Sequence, residues 1–126
     1  MSLVLDAGAL IAIDRNDRAM WRRLKSALEA GDVPVTHGGI VGQAWRGNGP
    51  RSALIALALA SLDVRPLDEN LGKRAGELLG RAKKTDVIDA ALVLLAGDGD
   101  IIATSDRADI QPLARAAGHV VELVAV

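Results

Sequence analysis

Five aspartates stand at the end of an apolar run or at the start of a helical one. Asp6 closes Leu3-Val4-Leu5, Asp86 and Asp89 open the run Ala90-Ala91-Leu92-Val93-Leu94-Leu95, and Asp106 and Asp109 follow Ile101-Ile102-Ala103-Thr104-Ser105. Carboxylates brought together repel one another unless they are protonated or share a cation. A hard divalent ion answers that need, since Mg²⁺ takes one or two carboxylates together with waters and phosphate oxygens. Such an ion activates water and stabilises charge on phosphate, so the chemistry within reach of these residues is phosphodiester hydrolysis. Each acid also has a purely structural explanation, because an Asp at a helix start accepts backbone N–H bonds and is favoured by the helix dipole. Asp6 fits that explanation least well. It ends an apolar strand beside Ala7 and Gly8, where a lone charge is partly desolvated and needs a partner.

Other chemistries are poorly supplied. The 126 residues contain no Cys and no Tyr, which removes thiolate nucleophiles, thiolate metal sites and disulfides. The two histidines, His37 and His119, flank β-type runs, where such residues are usually structural, and no Gly-x-Ser-x-Gly turn accompanies them. Gly38-Gly39-Ile40-Val41-Gly42 and Gly97-Asp98-Gly99 match neither the dinucleotide fingerprint nor a phosphate-binding loop, and read as turn chemistry. With Trp21 and Trp45 as the only aromatic residues, an aromatic platform for unpaired bases is excluded. Any nucleic acid is held by charge and shape. The net charge of −1 gives no overall pull toward polyanions, although Arg15, Arg18, Arg22, Arg23 and Lys25 form one basic cluster. Arg46, Arg51, Arg81, Lys83 and Lys84 lie close in sequence to the acid-bearing segments. These charges are either a solvated surface or phosphate contacts.

The elements that must position the acids alternate along the chain. Strands are expected at Leu3-Val4-Leu5, Val33-Pro34-Val35, Val64-Arg65-Pro66-Leu67, Ile101-Ile102-Ala103-Thr104 and from His119 to Val124. Between them lie helical segments, for instance one with Leu71, Ala75, Leu78, Leu79 and Ala82 along one face. This alternation predicts an α/β protein with a mainly parallel central sheet of about five strands covered by helices. In such a sheet the carboxyl ends of the strands share one edge, and ligands bind in the crevice there. Three separate chain segments thus deliver acids to one place. Residues 1–126 read as a single domain large enough to bury about two-thirds of its surface, and Gly47-Asn48-Gly49-Pro50 is long enough only for a loop. The run Ala53-Leu54-Ile55-Ala56-Leu57-Ala58-Leu59-Ala60 is apolar on every side. It predicts either a central core helix or one shared with a second copy of the chain. No apolar run reaches membrane-spanning length and an acid interrupts the amino terminus at Asp6, so a cytoplasmic protein with no membrane partner is expected.

Four segments, in order, resemble the PIN-domain ribonucleases of the VapC type, the toxin halves of bacterial toxin and antitoxin pairs. They are Leu3-Val4-Leu5-Asp6-Ala7-Gly8-Ala9-Leu10-Ile11-Ala12, Ala44-Trp45-Arg46-Gly47, Asp86-Val87-Ile88-Asp89-Ala90-Ala91-Leu92-Val93 and Ala103-Thr104-Ser105-Asp106-Arg107-Ala108-Asp109. The resemblance covers nearly the whole chain. It implies a three-layer α/β/α fold, Mg²⁺- or Mn²⁺-dependent endonucleolytic cutting of RNA, a homodimer, and inhibition by a VapB-type antitoxin. By position it assigns Asp6, Asp89 and Asp106 as catalytic metal ligands, with Asp86 and Asp109 as additional acids of the site; among the basic residues noted above, Arg15 and Arg46 are the candidate RNA contacts. The family pattern has a Glu shortly before the Trp-Arg pair, where this chain has Gln43. Gln keeps a carbonyl oxygen but cannot accept a proton as a base or neutralise metal charge. A site with one metal remains, and a PIN-like module that binds partners without cutting is the alternative.

Overall fold

The computed structural model describes residues 1–47, 50 and 52–126. Asn48 and Gly49 of the expected loop, and Arg51 of the second basic group, lie outside the described residues. In chain order the elements are β1 (Leu3–Leu5), α1 (Ala7–Asp14), α2 (Arg18–Glu29), β2 (Val35–His37), α3 (Gly38–Ala44) and α4 (Ala53–Leu59). They continue with β3 (Asp63–Arg65), α5 (Glu69–Ala82), α6 (Val87–Leu95), β4 (Ile101–Thr104), α7 (Arg107–Ala117) and β5 (Glu122–Ala125). The five strands form one sheet in the order β3-β2-β1-β4-β5, with every pairing parallel. The chain therefore winds outward from β1 through β2 to β3, then crosses back to β4 and outward again to β5. Right-handed crossovers made in opposite directions put their helices on opposite faces. Accordingly α1 packs with α2, α3 and α4, while α5, α6 and α7 pack with one another. This is the expected three-layer α/β/α arrangement.

Burial follows from that layering. The central strand is closed over on both faces, with Val4 and Leu5 wholly inaccessible, and Ile102 and Ala103 of β4 join them. On α6, Ala90, Ala91, Leu92 and Val93 are all at 0% exposure, the mark of a helix enclosed on more than one side. The amphipathic α5 buries Leu71, Ala75 and Leu78, and Leu79 and Ala82 pack on the edge of the same core. Among the described residues, no helix is long and apolar enough to cross a membrane.

Three strands are displaced from their expected places by local hydrogen bonding. Pro34 has no N–H to give, so β2 begins at Val35 and the carbonyl of Pro34 accepts from Asp63 at the start of β3. Pro66 likewise closes β3 after Arg65. The first residues of the His119–Val124 run belong to a turn: Val120 N donates to Asp98 Oδ1 at 2.8 Å and Val120 O accepts from Gly99 N. Pairing with β4 begins only at Glu122. The apolar helix α4 is not enclosed within the chain. It lies on α1 with Ile55 and Ala58 buried, and Leu57 is 64% exposed.

One glycine controls how closely β4 approaches the first turn of α1. A Cβ on Gly8 would overlap the side chain of Ser105, the residue that follows β4. Gly8→Ala should lower stability in thermal unfolding by about 1–3 kcal/mol. Ser105→Gly in the same chain should restore most of the loss, whereas an unaltered melt for Gly8→Ala alone would remove the close approach from the account.

Candidate active site

Strands β1 and β4 are neighbours whose outgoing connections turn in opposite directions, which makes their carboxyl ends the switch point of the sheet. Asp6 follows β1 and Asp106 follows β4 by two residues. Asp6 is 5% exposed and is the N-cap of α1: Oδ1 accepts from Ala9 N at 2.9 Å and Oδ2 from Ser105 N at 3.2 Å. The partner this buried charge requires is thus a pair of backbone N–H groups, and it does cap a helix, contrary to the reading of the sequence. Each oxygen retains lone-pair capacity for a further ligand.

Asp86 caps α6, its Oδ1 taking Ile88 N at 2.9 Å and Asp89 N at 3.1 Å. Asp89, in the first turn of α6, makes no such bond and stands half-buried among the other acids. Asp106 occupies the N-cap position of α7 without using its carboxylate there; its own N–H donates to Thr104 Oγ1 at 2.9 Å. Asp109 belongs to the first turn of the same helix. Carboxylate oxygens of Asp89, Asp106 and Asp109 all lie within 4.8 Å of one another. Octahedral Mg²⁺ with ligands at about 2.1 Å places neighbouring oxygens about 3.0 Å and opposite ones about 4.2 Å apart, so this all-oxygen set fits such an ion after a small closure. Asp6 stands beside the trio, close enough to raise the proton affinity of both Asp89 and Asp106.

The crowding is visible in the acidities. The Asp89 carboxyl is pushed up to about 6, by burial first and then by the charges of Asp86, Asp106, Asp6 and Asp109. Asp106 is raised as well, chiefly by the neighbouring carboxyl of Asp109.

His37 supports the site from below. It is fully buried, accepts from Gly39 N at Nδ1 (3.1 Å) and donates from Nε2 to the Ile88 carbonyl (3.0 Å). That pair of bonds fixes the neutral tautomer, and burial lowers its pKa. It joins α3 to the first turn of α6, next to Asp89, and is structural as its strand-end position implies. Gln43 lies exposed on α3, four residues beyond Gly39, on the stripe that packs against Ile88. The two expected RNA contacts are placed elsewhere. Arg15 caps the carboxyl end of α1, about 13 Å along the helix from Asp6. Arg46 N donates to Ser52 Oγ, and Ser52 N in turn to Asp14 Oδ2, which ties Arg46 to that same far end. Sequence reading missed the backbone N–H of Ser105 and the hydroxyl of Thr104, both of which depend on how β4 ends and carry no signal in residue type.

An all-parallel sheet in this order, covered on both faces and with acids at the shared ends of β1 and β4, is a PIN-like α/β fold. No protein-family model matches the chain, and no curated protein matches it in sequence. Among solved structures it is similar to a chain of VapBC2 from Rickettsia felis bound to a DNA fragment from their promoter. The match has a TM-score of 0.71 over 98% of each chain, at 11% sequence identity. At that identity the likeness is one of fold.

The raised Asp89 sets a direction for stability against pH. With a folded value of about 6 against an ordinary 3.8, its favourable contribution is complete below the ordinary value and is lost as pH rises through 6. In EDTA at about pH 7.5, Asp89→Asn should be more stable than the parent by about 1–2 kcal/mol, a figure reduced for partial solvent screening. Chemical denaturation should show the gap closing toward pH 4, and equal stability at the higher pH would mean that the acids are not crowded.

Proposed function

We propose that the protein is a metal-dependent endoribonuclease of the VapC toxin type. The observation that carries this reading is the convergence of the Asp89, Asp106 and Asp109 oxygens beside the buried Asp6 carboxylate, an arrangement that repels itself unless a cation is present. Mg²⁺ or Mn²⁺ held by Asp6, Asp89 and Asp106, with Asp109 alongside, would supply an activated water and charge stabilisation at phosphate. The chain's own residues hold the geometry. Asp6 fixes the junction of β1 and β4, Asp86 caps the helix that presents Asp89, and His37 anchors that helix from the other side. Gln43 offers an amide that orders water or a phosphate oxygen but takes up no proton.

The structural neighbour belongs to a VapBC complex, which supports a VapB-type antitoxin as partner; RNA as substrate and the cytoplasm as the place of action belong to the same reading. A homodimer is supported by α4, whose Leu57 is left exposed on an otherwise apolar helix. Gln43 favours a second reading in which the module binds partners without cutting.

Purified protein incubated with a cellular RNA pool should generate new ends with Mg²⁺ or Mn²⁺ and none with EDTA. Asp89→Asn and Asp106→Asn should each slow cleavage by about 100-fold or more, while Gln43→Glu should accelerate it. Absence of metal-dependent cleavage by the parent would favour the binding module. In sedimentation the parent should be a dimer at high micromolar concentration and Leu57→Lys should shift it toward monomer; a monomeric parent rejects the assembly.

A further inference from the structure

The α7–β5 side of the molecule carries a polar groove of about 370 Å³ that no step above uses. Arg107, Gln111 and Arg115 line it at four-residue spacing, which keeps them on one stripe of α7, flanking the buried stripe of Ile110, Leu113 and Ala114. Asp106 and Asp109 lie on the other flank, toward Asp89 of α6. Arg107 is the residue after Asp106, and Arg115 stands about 12 Å farther along the helix. Neither guanidinium is within ion-pair distance of an acid among the described residues. His119 also lines the groove, and its buried Nδ1 has no hydrogen-bond partner among the described residues. Glu122 is the acid on this lining, at the start of β5 and so toward the Arg115 end.

We propose that this groove binds the phosphates of the RNA strand beyond the cleavage point, with Arg107 at the crossing from the acids and Arg115 holding a phosphate farther on. The inference rests on the nuclease reading for its starting point. A strand whose reacting phosphate sits at the acids has to pass over the first turn of α7 to leave on this side, and Arg107 stands at that turn. The guanidinium is suited to phosphate because it stays charged and donates in a planar fork. Glu122 opposes it, so the groove predicts opposite signs for two neighbouring substitutions.

The test is fluorescence anisotropy in EDTA, where no metal-dependent cutting occurs, using labelled single-stranded RNA of about 20 and about four nucleotides over a salt series. Arg115→Gln should weaken binding of the longer RNA about fivefold and reduce the slope of log K against log salt by about 0.7, the loss of one single-strand phosphate contact. Glu122→Gln should tighten it about twofold, and the short RNA should respond to neither. All three side chains are exposed, and thermal melts like the parent's confirm folding of the variants, including Arg107→Gln. Unchanged binding of the longer RNA by both arginine variants overturns the groove; if the parent still cuts RNA with Mn²⁺, the nuclease reading stands without it. The expected signs in a parent that never cuts would uphold the groove and reject the nuclease. Stronger binding of oligoglutamate than of RNA of equal charge would overturn the proposal by giving the groove to an acidic peptide.

Discussion

The structure depends on keeping one charge inside the sheet edge. Asp6 is nearly inaccessible and sits where β1 ends, so its carboxylate must find donors or force the edge open. It finds them in two places: the first turn of α1, within three residues, and the residue after β4, on the other side of the sequence. The same side chain therefore starts a helix and fixes the spacing of two strands. Gly8 permits the second of these bonds, since any larger residue would push Ser105 away. Only with that junction closed does Asp106 arrive where Asp89 can meet it.

Around this fixed charge the remaining acids are arranged at the expense of their own comfort. Asp86 is satisfied by helix N–H groups, but Asp89 and Asp106 are not, and both hold protons more tightly than an isolated aspartate. Capping explains some of these residues and leaves others unexplained by any need of the fold. That division separates scaffold from chemistry: a carboxylate that accepts backbone N–H groups is holding the chain, and one that crowds its neighbours without such bonds is what the proposed cation would answer. Asp6 belongs partly to each class.

Much of this was legible in residue order. Leu3–Leu5 and Ile101–Thr104 are short apolar runs that end in turn residues, and the alternation with helical segments dictates a parallel sheet. The gathering of acids then follows from topology alone. What residue order hid was the set of donors. By resemblance Asp109 is only an additional acid, yet its carboxylate lies within 4.8 Å of those of Asp89 and Asp106; the turn at Asp98 and Gly99, which delays β5 to Glu122, depends on a side-chain to backbone bond between residues far apart. Arg15 and Arg46 are near the motifs in sequence and far from the acids in space, because a helix carries the chain away from the sheet edge at 1.5 Å per residue. The all-apolar helix α4 fails to bury itself because it meets its own chain on one side only.

The strand order also fixes when the site can exist during synthesis. The central strand is made first, but its partner β4 and the N–H of Ser105 arrive about a hundred residues later, after nearly all the helices. At about 5–20 residues per second the ribosome spends several seconds on the intervening chain. Throughout that interval Asp6 lacks half its donors, and Asp89, once made, still precedes Asp106 and Asp109. The acidic cluster is therefore completed only near the end of synthesis, and a chain broken off before β4 lacks Asp106 and Asp109 altogether. A site pooled from segments this far apart thus exists only in a nearly finished chain, a property set by the strand order rather than by any single residue.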